Sequence, residues 1–282
     1  MQDDEPDRQW TLSSPATIIL LWGPETNDTW AIKMTLIELF VRGDLILTTE
    51  FEVRRFRRER SVVRVTRGSE QEGIRAPALQ AAMDCLPTPG GVFPHGPSMS
   101  LQELAKELFK RQLTQERVRG RKRWRPSGPG FVQSEVLPEL IGAGLIVDTG
   151  GRLFDATWRL TDEGDEALVT LGRVLTFARE DLVPMIATDP NQAFRFVERY
   201  GTALLLARGL PEALRRLESW ATSAGQGQSV SSTPDLPTIG TSHLARHFGV
   251  YNVDQLFHVV GSEVDLAWSD LRRGWLFTVG GE

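Results

Sequence analysis

Residues 131–171, FVQSEVLPELIGAGLIVDTGGRLFDATWRLTDEGDEALVTL, contain the pattern that decides the fold. Over residues 134–141 the apolar side chains recur on one helical face, which predicts a helix that Ser134 caps. Two glycines end this helix. Residues 145–147 and 158–160 then have the composition of two short strands joined by a glycine turn.

A second helix is predicted after these strands. Thr161 offers a hydroxyl to the free N–H groups at the helix start, and the acidic first turn suits the positive end of the helix dipole. The expected core stripe consists of Leu168, Leu171, Leu175, Ala178 and Leu182. A further helix is predicted from Asp189 through Leu205. The order of helix, two-stranded wing and helix predicts a winged-helix unit.

The same order of segments occurs earlier in the chain. LIEL at 36–39, Gly43 and LIL at 45–47 correspond to LPEL at 137–140, Gly144 and LIV at 145–147. VRVT at 63–66 likewise resembles WRLT at 158–161. Sequence patterns for a helix, a glycine and a strand in this order also arise by chance. The prediction of two tandem winged helices therefore depends on the matching order of the segments.

Three further elements complete the prediction. Residues 44–54 and 61–67 form a hairpin with RRFRRER at its tip, and the apolar residues 16–22 form a buried strand or a short helix. Ser100 and Glu103 form a capping box. The helix that they start is expected to run into the basic stretch RVRGRKRWRP and to end by Pro126.

The predicted fold class is α+β, mostly helical. A first winged-helix unit spans residues 14–86, and a second unit with a helical extension, which includes a final helix at 210–221, spans residues 98–221. Residues 222–240 have the Gly, Ser, Gln and Pro bias of a flexible linker. The tail at 241–282 is too short for a core of its own, so we expect it to dock on the body or on a partner.

Composition limits the class of protein. The 282 residues are 40% hydrophobic and 24% charged, as in soluble globular proteins. No apolar run reaches the roughly 18 residues of a membrane span, and the acidic N-terminus has no targeting pattern, so a cytoplasmic protein is predicted. The single cysteine, Cys85, excludes an internal disulfide and is expected to be a buried, inert thiol.

Charge is unevenly distributed along the chain. Residues 54–67 contain seven arginines and one glutamate, and residues 110–125 contain eight lysines and arginines and one glutamate. These 30 residues carry +13, so the other 252 carry −18 of the total of −5. Segregation of this size indicates anion binding, or pairing of the basic segments with acidic surfaces of the same molecule or of a homodimer.

Catalytic patterns are missing from the sequence. The sequence has no Gly-rich phosphate loop and no nucleophile elbow, and its four histidines leave little material for a catalytic triad, so we expect no enzymatic activity and no cofactor. His243 and His247 have the i, i+4 spacing of a metal pair, with His258 after them, but they have no adjacent glutamate or cysteine pair, and no metal is predicted. A deep pocket with His95, His243 or His247 beside a buried carboxylate would contradict this expectation.

Ordinary major-groove DNA reading is disfavoured. The helix before the second wing exposes Gln133, Ser134, Glu135 and Glu139, and the corresponding helix of the first unit offers Lys33, Glu38 and Arg42. Such a mixture repels phosphate as often as it attracts it. The prediction is therefore a non-enzymatic protein-interaction or scaffold module with a protein partner or homodimer; the alternatives are a nucleic-acid-binding protein and a peripheral binder of anionic lipid.

In either alternative the arginine-rich hairpin and the second basic stretch would bind the anion. The candidate anion-binding residues are Arg54, Arg55, Arg57, Arg58, Arg60, Arg119, Arg121, Lys122, Arg123 and Arg125. Phe56 and Trp124 are the aromatic candidates, able to stack on bases or to enter a lipid interface.

Two family resemblances accompany these patterns. The segments SPATIILLWGPETNDTWAIKMTLIELFVRGDLIL and LTDEGDEALVTLGRVLTFAREDLVPMIATDPNQAFRFVERYGTALLLARGL resemble the cytosolic C-terminal region of a bacterial family of predicted membrane proteins of unknown function. LIELFVRGDLIL and the helices after it are more weakly similar to the Golgi phosphoprotein fold. That resemblance implies phosphoinositide binding through a basic hairpin and pocket. Neither resemblance implies catalytic residues.

Overall fold

The computed structural model describes ten segments of the chain. They are residues 10–23, 27–52, 60–68, 76–87, 98–111, 113–118, 121–126, 130–149, 158–207 and 253–276. The predicted helix at 210–221 and the linker lie outside these segments. The described residues are mostly helical with small antiparallel sheets, which confirms the predicted α+β, mostly helical class.

Among the described residues, the chain up to Ser100 forms three helices and a small sheet. The elements are α1 (Ser14–Trp22), α2 (Asp28–Arg42), β1 (Leu45–Glu52), β2 (Arg60–Arg67), α3 (Pro77–Asp84) and β3 (Met99–Ser100). β1 and β2 form the predicted hairpin, and β3 pairs with β2 as a third antiparallel strand. The pairing of Leu47 with Val65 puts one residue from each predicted strand side by side.

From Leu101 onward, hairpins alternate with helices. The elements in this part of the chain are α4 (Leu101–Lys110), β4 (Leu113–Val118), β5 (Arg121–Pro126), a π-helical turn (Val132–Val136), α5 (Leu137–Gly142), β6 (Ile146–Asp148), β7 (Trp158–Leu160), α6 (Asp162–Glu180), α7 (Leu182–Thr188), α8 (Pro190–Tyr200), a 3-10 turn (Gly201–Leu206) and α9 (Val253–Leu276). β6 pairs with β7 in antiparallel fashion, as the sequence predicted. None of the helices in the described segments combines the length and apolarity needed to cross a bilayer.

Local sequence signals explain several helix ends. The Asn27 side chain accepts a bond from the Trp30 amide, and Gly43 ends α2 with φ of 76°, so residues next to the helix account for both of its ends. The capping box of Ser100 and Glu103 is confirmed. Residues 16–22, left open between strand and helix, belong to the helix α1.

The prediction of one helix from Ser100 to Pro126 is wrong. α4 ends at Lys110, and the basic stretch forms the antiparallel hairpin of β4 and β5. Val118 pairs with Arg121, which leaves only two residues between the strands. Alternation of charged residues with Val118 and Trp124 was the strand signal in this stretch.

Three other predicted boundaries are wrong. Ser134 does not cap a helix, because the backbone is already helical from Phe131 and makes a π-helical turn there. The helix after Thr161 ends at Glu180 and not at Leu182, with α7 following it. The next helix does not reach Leu205: it ends at Tyr200, where Gly201 has φ of 44°. The Thr161 cap itself is confirmed, since its hydroxyl accepts from the Gly164 amide.

α1 lies at the centre of the molecule. It packs against α2, α5 and α6, and seven of its nine residues are buried. One continuous hydrophobic core extends from Leu12 through residues of both predicted winged-helix units to Leu271. Burial on all sides explains why the apolar residues of α1 show little preference for one face.

α9 packs across α2 and α4. Its buried residues have helical spacing and are Leu256, Val260, Val264, Ala267 and Leu271. Trp268 stacks on Phe109 of α4 with ring centroids 5.0 Å apart. Lys33 of α2 and Lys106 of α4 form ion pairs with Asp265 and Asp270, at 2.8 and 2.7 Å. These contacts place part of the C-terminal tail on the body.

Candidate functional site

The first group of predicted anion-binding residues lies at the β1–β2 hairpin. Leu45 pairs with Arg67 and Glu52 pairs with Arg60, so Arg60 is the first residue of β2. The others in this group, Arg54, Arg55, Phe56, Arg57 and Arg58, fall in sequence between the two strands and outside the described residues. Their role stays a prediction.

The second group lies on a strand instead of a helix end. Arg121, Lys122, Arg123, Trp124 and Arg125 are consecutive residues of β5, and Arg119 lies outside the described segments. Both arginine-rich stretches are therefore associated with β-hairpins.

Several neighbouring basic residues are used inside the molecule. Arg64 is buried and forms an ion pair with Glu50 at 2.6 Å. Arg67 and Arg111 donate to the carbonyl oxygens of Met83 and Ala81, both at 2.7 Å. Part of the charge segregation noted in the sequence thus has an internal structural role.

The two glutamates of the repeated Leu-x-Glu-Leu motif meet at the start of α1. Glu139 accepts from both the amide and the hydroxyl of Ser13, each at 2.6 Å, and Glu38 accepts from the Ser14 amide, also at 2.6 Å. The first amides of a helix have no internal partners and carry partial positive charge. α1 has no acidic residue in its own first turn, so α2 and α5 supply these carboxylates.

Burial changes the acidity of both glutamates. Burial raises the pKa of Glu38 to about 7, against the lowering effects of the Ser14 amide and Arg42. Burial also raises the pKa of Glu139, against its two bonds from Ser13. Glu38, expected to lie on an exposed face, is only 1% exposed, so that expectation is wrong. A carboxyl group that is only 1% exposed is closed off from a ligand in solution.

A cleft lies between α6 and α8, with α7 beside it. Its volume is about 1330 Å³. Its lining residues are Val169, Gly172, Arg173, Val174, Thr176 and Phe177 of α6, Asp181, Met185 of α7, and Gln192, Arg195, Phe196, Arg199 and Tyr200 of α8. On both long helices these residues recur at helical spacing, so one face of each helix forms a wall of the cleft.

A row of aromatic rings joins the two walls. Phe196 lies between Phe177 and Tyr200, with ring centroids 4.7 Å from each. These tilted contacts are favourable and fix the separation of the walls. Nothing lies within 4 Å of a Cβ built on Gly172, so the α6 wall has open space at that point.

The rim of the cleft is cationic. Arg173 and Arg195 are exposed on opposite walls, and neither forms an ion pair within the described part of the chain. Arg199 also lines the cleft. Asp181 is the one carboxylate among its lining residues. The cleft therefore combines an aromatic floor with net positive charge.

The described residues that line this cleft include no histidine or cysteine. Their ionisable side chains are the arginines, Asp181 and Tyr200. Within the described segments no three His, Cys, Asp or Glu side chains are grouped to hold a metal ion. His258 is exposed on α9, whereas His95, His243 and His247 lie outside these segments. Cys85 is half-buried, and burial raises the pKa of its thiol.

Sequence reasoning missed this cleft. The available signal was Arg173, Phe177, Arg195, Phe196 and Tyr200, which combine cationic and aromatic side chains at i, i+4 and i, i+1, i+5 spacing. On each helix alone such a pattern also fits an ordinary core stripe with a solvated border. Only the turn through α7, which brings α6 and α8 together, makes it a cleft.

Comparison of the chain with protein-family models, curated proteins and solved structures finds no match. The two family resemblances given above thus stay predictions.

Proposed function

We propose that this protein is a non-enzymatic interaction module that binds an acidic, amphipathic segment of a partner protein in the α6–α8 cleft. The aromatic floor with exposed arginines on both walls is the observation that supports this. Aromatic residues, methionine and arginine are enriched in protein interfaces. The proposal includes a tandem winged-helix fold, in which α6 follows the second wing.

The shape of the cleft favours a peptide over a small ligand. Its volume of about 1330 Å³ exceeds the roughly 300–1,000 Å³ of typical small-molecule pockets. An amphipathic helix in a groove contacts the floor with residues at i, i+3, i+4 and i+7. Carboxylates on the two borders of such a helix would meet Arg173 and Arg195.

A display screen tests the proposal. A library of 16-residue helical peptides with apolar residues on one face would carry either Glu or Lys at the border positions. We expect enrichment of Glu-bordered peptides on the protein. Affinities of the enriched peptides would then be measured by fluorescence anisotropy for the protein and its variants.

Two variants alter the cleft without touching its floor. Arg173→Glu/Arg195→Glu should lower the affinity for Glu-bordered peptides about tenfold or more and raise the affinity for Lys-bordered peptides. Gly172→Trp should fill the open space and block both kinds. The matched controls are Arg272→Glu and Gly261→Trp on α9, where Arg272 is exposed and Gly261 also has nothing within 4 Å of a built Cβ. No enrichment, or equal binding by cleft and control variants, would overturn the proposal.

A second candidate function is nucleic-acid binding through the two arginine-rich hairpins. Formation of a β-hairpin by the second basic stretch supports it, because two-stranded ribbons can contact nucleic-acid grooves and backbones. Binding of duplex DNA, RNA and anionic vesicles would be measured at two salt concentrations. Alanine at Arg55, Arg57 and Arg58 should reduce the salt slope by about two to three if phosphates are contacted. No binding at low salt would remove this candidate.

A further inference from the structure

The chain enters the fold beside the α6–α8 cleft. The Trp10 amide donates to the carbonyl oxygen of Arg199 at 2.9 Å, and its indole N–H donates to the Thr17 hydroxyl at 3.0 Å. Arg199 and Tyr200 both line the cleft. Trp10 is therefore anchored at the end of the α8 wall.

The nine residues before Trp10 carry net negative charge, opposite in sign to the charge of the cleft. They read MQDDEPDRQ, with four acidic residues and one arginine. Nine residues extend to at most about 30 Å, whereas the α8 wall from Gln192 to Tyr200 rises only about 12 Å. The segment is long enough to place its carboxylates along the whole rim.

We propose that the acidic segment at residues 1–9 occupies the α6–α8 cleft of its own chain and competes there with the acidic partner. The competition rests on the function proposed above, whereas occupancy in cis does not. Tethering at Trp10 gives the segment a local concentration in the millimolar range, so weak charge pairing with Arg173 and Arg195 suffices. A partner must therefore bind the cleft strongly enough to displace the segment.

Cysteine pairing tests the occupancy without any partner. In a Cys85→Ser background, Asp4→Cys would be combined with Thr176→Cys in the cleft or with Gly261→Cys on α9. Disulfide formation under mild oxidation should be about tenfold faster for the cleft pair, and 1 M salt should reduce this preference. Adding Arg173→Glu/Arg195→Glu should abolish it. Equal rates for the two pairs would overturn the proposal.

A peptide titration tests the competition. Neutralising the segment with Asp3→Asn, Asp4→Asn, Glu5→Gln and Asp7→Asn should raise the affinity for Glu-bordered peptides about three- to tenfold. The same changes should have no effect in the Arg173→Glu/Arg195→Glu background. An unchanged affinity would overturn competition. If the cleft disulfide forms rapidly but no peptide binds, the proposed function alone is overturned. If peptides bind but the two disulfides form at equal rates, this inference alone is overturned.

Discussion

Glu139 and Ser13 are 126 positions apart in sequence and joined by two hydrogen bonds of 2.6 Å, from the serine amide and the serine hydroxyl. Glu38 makes the equivalent bond to the Ser14 amide. The repeated Leu-x-Glu-Leu motif thereby ties both halves of the repeat to the start of α1, the central helix.

Substitution of Glu38 should change how stability depends on pH. The folded-state pKa of about 7 lies above the ordinary value of 4.5, so the folded protein favours the protonated carboxyl. This contribution is fully present below pH 4.5 and is lost as pH rises through 7. Between pH 5 and 8 the wild type should lose stability relative to Glu38→Gln by on the order of 2–3 kcal/mol. Denaturant unfolding at both pH values checks this, and a constant difference would contradict it.

Ser13→Ala should destabilise the protein by about 1–2 kcal/mol. It removes the hydroxyl that donates to Glu139 and that accepts from the Ala16 amide. Ser134→Ala is the matched control, because within the described segments the Ser134 hydroxyl bonds to its neighbour Glu135 alone, at 3.5 Å. The control should change stability by less than about 0.5 kcal/mol. Equal effects in urea unfolding would mean that Ser13 is not an anchoring residue.

Gly68→Ala should destabilise the first hairpin by on the order of 1–3 kcal/mol. A Cβ at Gly68 would overlap the carbonyl oxygen of Gly43, and the Gly68 amide bonds to the Asp44 carbonyl at 2.8 Å. Gly172→Ala, in a helix with open space, should be neutral or stabilising by up to about 1 kcal/mol. Thermal unfolding compares the stabilities of the two variants. A Gly68→Ala variant as stable as the wild type would show that the backbone at Gly43 can move to make room for the new Cβ.

Val264→Asp should release α9 from α2 and α4. Val264 is 0% exposed, so its replacement places an unpaired charge in the interface. Leu266→Asp lies on the same helix but at a position 42% exposed, and should leave docking intact. Hydrogen exchange of residues 253–276 measures the difference. Similar protection in both variants would mean that the buried stripe does not hold α9 in place.

The sequence by itself determined the features set by neighbouring residues. The Asn27 cap and Gly43 terminus of α2, the capping box of Ser100 and the Thr161 cap each depend on bonds within one turn, so they could be predicted. The β1–β2 and β6–β7 pairings followed from apolar strand composition on either side of a turn.

The tertiary structure decided which of these elements meet. No local signal indicates that Glu38 and Glu139 both cap α1, because the bonds join residues distant in sequence and the burial that raises the two pKa values arises only in the assembled core. The cleft likewise exists only because α7 turns α8 back against α6. The basic stretch after α4 was mistaken for helix because arginine and lysine favour helices, whereas in the folded chain strand pairing between β4 and β5 overrides that local preference.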